Sequence, residues 1–318
     1  MQWYEILLMV VGILVAIGVV ILLIAFGCFL KVFYSPTRKI LGENEYEFPP
    51  EEIYVPYHDQ MRAWMHDLRT RPQEAVSVTS FDGLTLRGVY YEYAPDAMVE
   101  LLFHGYRGCA ERDLAGAVER CFALGRSVLL IDQRAGGKSD GHVISFGINE
   151  RKDCLTWIEF ARQKFGTDRK LVIGGISMGA ATVVLAAGET LPDNVVCVMA
   201  DCGFSSAKEI IKKVVRDLHL PADLVYPLIK LGARVFGGFN LDETTPLQAV
   251  KNSKIPVVFL HGDTDDFVPH SMSVEMYEAC PTQKKMVTFE GAGHGLAFPK
   301  DKEKYVSALR DFQTECGF

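Results

Sequence analysis

Three residues far apart in the chain have the types that nucleophilic acyl transfer needs. Ser177 stands in Gly175-Ile176-Ser177-Met178-Gly179, after the apolar run Leu171-Val172-Ile173 and before an alanine-rich stretch. A serine hydroxyl is a poor nucleophile until a tight strand-to-helix turn presents it to a base, and such a turn tolerates no bulk beside it. Gly175 and Gly179 remove that bulk on both sides. The base is expected on a loop late in the chain. Only His294 among the eight histidines sits in a small-residue cluster just past an expected strand, Phe289-Glu290-Gly291-Ala292-Gly293-His294-Gly295. The orienting acid is expected in His261-Gly262-Asp263-Thr264-Asp265-Asp266-Phe267-Val268-Pro269, directly after a buried strand. Asp263 suits a turn cap and Asp266 a solvated charge. Asp265 is read as the residue that fixes the histidine tautomer and stabilises the imidazolium.

A developing oxyanion needs two preorganised donors. The N–H of Met178 comes with the serine turn, and the N–H of Tyr106 is expected from His104-Gly105-Tyr106-Arg107-Gly108, a glycine-flexed strand end. His104 is read as a holder of that loop by hydrogen bonds, since a histidine beside a strand end more often has that part than a catalytic one.

These groups need a sheet to carry them. Beyond residue 72 short β-branched runs alternate with segments of helical period, the pattern of a sheet covered by helices on both faces. Val76–Val78 and Leu84–Tyr93, joined by Asp82-Gly83, read as an opening hairpin. Val99–Phe103, Ser127–Ile131, Leu171–Ile173, Val195–Met199, Val257–Leu260 and Met286–Phe289 read as buried parallel strands. Helices are expected at Asn149–Phe165 and Asp301–Cys316. About fifty residues between Phe204 and Lys254 hold two helical patterns, the first opened by a possible Ser206/Glu209 capping box. An insertion of that length is expected to form a helical cap over the site, about residues 205–250.

The first residues belong to another solvent. Ile6 to Leu30 contains no charge and is nearly all aliphatic, long enough to cross a hydrocarbon core of ~30 Å. Residues 1–34 are therefore read as a transmembrane anchor. Glu5 and the missing basic cluster argue against a cleaved signal, and Phe26 argues against a lipoprotein box at Ala25-Phe26-Gly27-Cys28. Lys31, Arg38 and Lys39 follow the helix, which places the catalytic portion on the cytoplasmic side of a cell membrane by the positive-inside rule. Residues 35–71, with Pro36, Pro49, Pro50 and an alternation of Glu43, Glu45 and Glu47, read as a linker leading to a surface helix. A net charge of -7 gives no basic stripe, so a nucleic-acid partner is not expected. The eight cysteines include no CxxC pair, and neither a zinc site nor a disulfide framework is expected.

The strand followed by HGxxG at 104–108, Asp132-Gln133-Arg134-Ala135-Gly136-Gly137-Lys138-Ser139, GxSxG at 175–179, DxxVP at 265–269 and Gly-His-Gly at 293–295 together resemble the α/β-hydrolase superfamily. The likeness is nearest to its serine aminopeptidase-like and monoacylglycerol lipase-like branch. It covers residues 72–318 and leaves out the membrane helix. Ala135 departs from the glycine usual after DxR, in a loop that does not touch the triad. The resemblance implies an α/β fold, an eight-stranded mostly parallel sheet with helices on both faces and a small helical cap. It implies that Ser177 attacks a carbonyl, His294 acts as base and then acid, Asp265 orients it, and Tyr106 and Met178 hold the oxyanion, with no metal or organic cofactor. Asp201, at the end of the sixth strand, is a fallback acid in that architecture. The expected activity is hydrolysis of acyl esters or thioesters, on a small-molecule or lipid-derived substrate. A second reading is an aminopeptidase-like peptidase, for which Glu209, Asp217 and Asp223 in the cap are the acids available to hold a substrate ammonium. A catalytically silent, membrane-attached binding module is the reading from another class and would need a broken triad or a blocked oxyanion hole.

Overall fold

The computed structural model describes residues 2–36 and 45–318. Arg38, Lys39 and Glu43, which enter the orientation and linker readings, lie outside the described residues. The strands are β1 Glu74–Thr79, β2 Thr85–Tyr91, β3 Val99–Phe103, β4 Ser127–Asp132, β5 Leu171–Ile176, β6 Val195–Asp201, β7 Val257–Gly262 and β8 Lys284–Phe289. They form one sheet in the order β1-β2-β4-β3-β5-β6-β7-β8. β2 runs antiparallel to both β1 and β4, and the remaining neighbours are parallel. The order reverses at β3, whose neighbours are β4 and β5, so the crevice beyond the carboxyl ends of β3 and β5 is where such a sheet binds its ligands.

The principal helices are α1 Trp3–Val32, α2 His58–Thr70, α3 Glu150–Phe165, α4 Met178–Ala187, α5 Ala207–Asp217, α6 Ala222–Val235 and α7 Lys302–Cys316. Each sheet face has its own core, as the apolar parallel strands require. On one face Met61, Trp64, Met65 and Leu68 of α2 pack with Tyr305, Leu309 and Phe312 of α7. On the other, Trp157, Ile158 and Ala161 of α3 pack with Ala180, Val183 and Val184 of α4. Even the one acid within β3 is buried. Glu100 survives there because Arg120 and Arg126 reach its two oxygens at 2.6 and 2.8 Å.

A third apolar cluster joins the insertion to the N-terminal helix. α5 and α6 form where the sequence marks them, and Ser206 Oγ accepts the Glu209 N–H at 3.3 Å, one half of the expected box. Their apolar faces bury Ile210, Ile211, Val215, Tyr226 and Ile229 against Phe29, Phe33, Phe146 and Phe204. α1 is long and apolar enough to cross a membrane, with a mean hydropathy of 3.4 over its most apolar window. No residue of it before Ala25 is buried, and then Ala25, Phe29 and Phe33 are. Contact with α6 is close at Gly232, where a Cβ would lie 2.5 Å from the Ala25 carbonyl oxygen. The chain leaving α1 is stitched to the domain: Ser35 N–H donates to His142 O, and Ile144 N–H to Phe33 O, each at 2.8 Å.

Candidate active site

The turn after β5 is built by close approach. Ser177 has φ of +56°, the left-handed conformation that costs a side-chain-bearing residue energy and recurs at functional sites. A Cβ at Gly175 would strike the carbonyl carbon of Gly179, and one at Gly179 would strike the carbonyl oxygen of Phe103. Both glycines are thus required by backbone, which cannot yield as a side-chain end can. Gly179→Ala is expected to lower stability by about 1–3 kcal/mol or more through overpacking, read as a lowered midpoint in thermal unfolding.

The other two residues converge on that turn. His294 Nε2 lies 2.9 Å from Ser177 Oγ, and its Nδ1 lies 2.7 Å from Asp265 Oδ2. Asp265 also receives the Phe267 and Val268 N–H groups on Oδ1 at 2.9 and 2.8 Å, and His261 Nε2 on Oδ2 at 3.1 Å. Burial by itself would raise this carboxyl, but the hydrogen bonds from His261 and His294, with the charge of His294 and the Val268 N–H, outweigh it and hold Asp265 well below the usual carboxylate range. An ionised acid can only accept, so Nδ1 carries the imidazole proton and the Nε2 lone pair faces Ser177.

The competing acids fall elsewhere. Asp263 Oδ1 accepts the Gly291 N–H at 2.6 Å, pinning the loop that bears His294. Asp266 is exposed. Asp201 does not reach His294: its Oδ2 accepts the Tyr305 hydroxyl at 2.8 Å, while its backbone carbonyl accepts the Ser177 N–H, also at 2.8 Å. Cys202, Asp265 and His294 bring potential ligand atoms within 4.8 Å of one another. Asp265 and His294 are already bonded to each other, and burial pushes the Cys202 thiol well up, so the set stands as a hydrogen-bonded acid–imidazole pair beside a neutral thiol.

The loop after β3 is held from within. Asp113 Oδ2 accepts the Gly105 N–H at 3.1 Å; His104 Nδ1 donates to Gly105 O at 2.8 Å and its Nε2 accepts the Gln133 N–H at 2.9 Å. His104 is therefore a loop holder, and burial lowers its pKa, favouring the neutral ring this pattern needs. Among the described residues the N–H groups of Tyr106 and Met178 donate to no protein acceptor.

Ser177 and His294 open on a cavity of about 510 Å³. Its walls are largely apolar, including Ile53, Met61, Trp64, Leu102 and Phe298. The roof differs from expectation. No residue of the 205–250 insertion lines the cavity; residues 49–64 do, with Tyr54 donating its hydroxyl to the His294 carbonyl at 2.9 Å. The reason is that the apolar faces of α5 and α6 are taken up by α1 and Phe146. Asp217 and Asp223 instead pair with Lys213 and Lys212 at 2.7 and 2.6 Å. Sequence reasoning missed His261, Asp113 and Tyr54. His261 directly precedes the glycine of the strand-end turn, which was a usable signal, whereas the other two carry no local motif.

Comparison with known proteins gives the family and the fold. The profile of the prolyl oligopeptidase family, Peptidase_S9, matches residues 144–317. The chain is 29% identical over 190 residues to the Bacillus subtilis protein YqkD, a match covering 59% of this chain and 62% of that relative's length. It is 25% identical over 288 residues to the Schizosaccharomyces pombe protein bem46, covering 90% of this chain and 86% of that one. A Pyrococcus furiosus esterase superposes with a TM-score of 0.65 at 18% identity, over 89% of this chain and 98% of that one. That last likeness is one of fold alone. With more than half its length matched by one family profile and a sheet of the same architecture, the chain is an α/β hydrolase that belongs to the prolyl oligopeptidase family.

Proposed function

We propose that the protein is a serine hydrolase that cleaves carboxylic acyl esters or thioesters through an acyl-enzyme. The observation that carries this reading is the Ser177–His294–Asp265 chain, 2.9 and 2.7 Å long in its two links, at an apolar cavity. Ser177 Oγ attacks the substrate carbonyl carbon as His294 Nε2 takes its proton, and Asp265 stabilises the imidazolium. The N–H groups of Tyr106 and Met178 receive the tetrahedral oxyanion. Collapse expels the alcohol or thiol, which takes the proton from Nε2, and water repeats the sequence on the acyl-serine.

A peptidase is the second reading, favoured by the family match over residues 144–317. Glu209, Asp217 and Asp223 of the insertion do not line the cavity, and of the acids that do, Asp113 pairs with Arg112 and Asp201 accepts the Tyr305 hydroxyl, so Glu51 is the acid that a substrate ammonium would have to use. Two measurements test the assignment. A fluorophosphonate probe is expected to label wild type and not Ser177→Ala; equal labelling removes Ser177 as nucleophile. A p-nitrophenyl ester chain-length series is expected to turn over faster than aminoacyl anilides, and the opposite order would reverse the ranking.

The proposed setting is a single-pass membrane protein, anchored by α1, with the hydrolase domain on the cytoplasmic side. Lys31 at the end of α1 and the docking of that helix on α6 support retention of the helix. Protection of the domain from added protease in right-side-out vesicles is the expected result, and digestion there would invert the orientation.

A further inference from the structure

We propose that the C-terminal turn of α1 is a positioning element of the oxyanion loop, so that the helix which reads as a tether also sets the rate of acyl transfer; this rests on the serine-hydrolase reading above. The last carbonyls of any helix lack intrahelical partners and must find donors. Here two adjacent loop residues provide them. Tyr106 donates its hydroxyl to Val32 O at 2.7 Å. Arg107 Nη2 donates to Lys31 O at 2.9 Å and to Tyr34 O at 2.8 Å. A guanidinium at a helix C-terminus is further favoured by the negative end of the macrodipole.

These two residues are the ones whose backbone conformation aims the donor. Tyr106 carries the N–H assigned to the oxyanion, and Arg107 is held at φ +51°, a left-handed conformation that a side-chain-bearing residue keeps only where its surroundings enforce it. Asp113 and His104 brace the loop on the sheet side, at Gly105; α1 braces it on the other side, at the two following side chains. Packing runs the same way. Tyr106 lies 5.2 Å from Phe146, and Phe146 lies 5.9 Å from Phe33, which ends the helical segment, as ring centroids. Met178, the second donor, belongs to the same apolar cluster as Phe33 and Phe146.

Oxyanion donors act by being in place before charge develops, so a loop free to relax loses transition-state binding without losing ground-state binding. The clamp therefore predicts a fall in kcat at constant KM. The test uses the full chain in detergent micelles with a p-nitrophenyl ester, active sites counted by fluorophosphonate titration. The expected kcat per titrated site falls about tenfold or more in Arg107→Ala and about threefold in Tyr106→Phe, a fraction of the 10²–10³ lost with a whole oxyanion donor. KM stays within about twofold, and affinity for an alkyl boronic acid, which forms a tetrahedral adduct on the serine, falls by the same factor as kcat. Arg107→Lys, able to reach one carbonyl, recovers part of the loss. Phe26→Ala, which removes the ring 5.0 Å from Phe236, the residue that caps the end of α6, without touching the loop, is expected to keep wild-type kcat. Should Arg107→Ala not fold, Tyr106→Phe, which deletes one oxygen, carries the test. A kcat per site within twofold of wild type in the loop variants overturns the clamp, as does a rise in KM alone, and in either case an active wild type leaves the hydrolase reading standing. A wild type without Ser177-dependent turnover overturns both.

Discussion

Ser177→Ala is expected to lower kcat about 10⁶-fold, equivalent to about 8 kcal/mol of transition-state stabilisation, while the protein stays folded. The expectation follows from what the substitution leaves. His294 keeps its Asp265 partner at 2.7 Å, the glycines that shape the turn are untouched, and the donors at Tyr106 and Met178 remain. The residual rate should then be that of water attacking a bound and polarised carbonyl, of the order of 10³–10⁴ above the uncatalysed reaction. Stability should change by about 1 kcal/mol or less, the worth of the single hydrogen bond to His294 Nε2. Steady-state turnover of an activated ester beside a thermal unfolding curve checks both halves. Turnover retained within tenfold would place the nucleophile elsewhere; a collapsed melting curve would make the loss one of folding.

The parts of this site legible in the sequence are those that chemistry confines to short, local patterns. A serine between two glycines, a histidine among glycines and an acid three residues before Val268 are each dictated by a turn at a strand end, and the structure brings those three together. The strands were legible because buried parallel strands are apolar at consecutive positions, although β5 and β6 run past the expected ends, to Ile176 and Asp201. What was not legible depends on which surfaces meet. α5 and α6 show amphipathic stripes, and a stripe says that a face is buried without naming its partner. The length of the insertion suggests a face turned to the substrate, yet that face meets the end of α1. α1 hides its own contact more thoroughly, because a helix apolar on every side has no periodic signal to mark the face around Ala25, Phe29 and Phe33. The roof of the cavity comes from residues 49–64, of which those before α2 hold prolines and a short 3-10 turn that interrupt any period, and Met61 and Trp64 come from α2 itself.

Asp265→Asn is expected to lower kcat about 10⁴-fold, and this substitution separates the two acids that the fold offers to the histidine. An asparagine at 265 fits the same space but changes the direction of one hydrogen bond. Its amide can donate to Nδ1, which moves the imidazole proton to Nε2 and leaves no lone pair facing Ser177 Oγ. Asp201→Asn should keep kcat within about tenfold, because Asp201 reaches the site through a backbone carbonyl that the substitution retains. Asp263→Asn should do the same, since its amide oxygen can still accept the Gly291 N–H. The two buried acids also differ in their effect on stability against pH. Asp265 is held below its unfolded value, so its ionisation contributes stability that is present above the unfolded pKa of about 3.9 and is lost as pH falls below it. Asp201 is raised, burial being the largest cause despite the Tyr305 hydroxyl, so the stability it contributes is present below about pH 3.9 and is lost as pH rises through its folded value. Asp265→Asn should therefore flatten the acid limb of the stability curve, and Asp201→Asn should steepen it. Denaturant unfolding between pH 3 and 7 reads that difference independently of catalysis. An Asp201→Asn variant that lost activity as Asp265→Asn is expected to, with the acid limbs exchanged, would move the orienting role from β7 to β6.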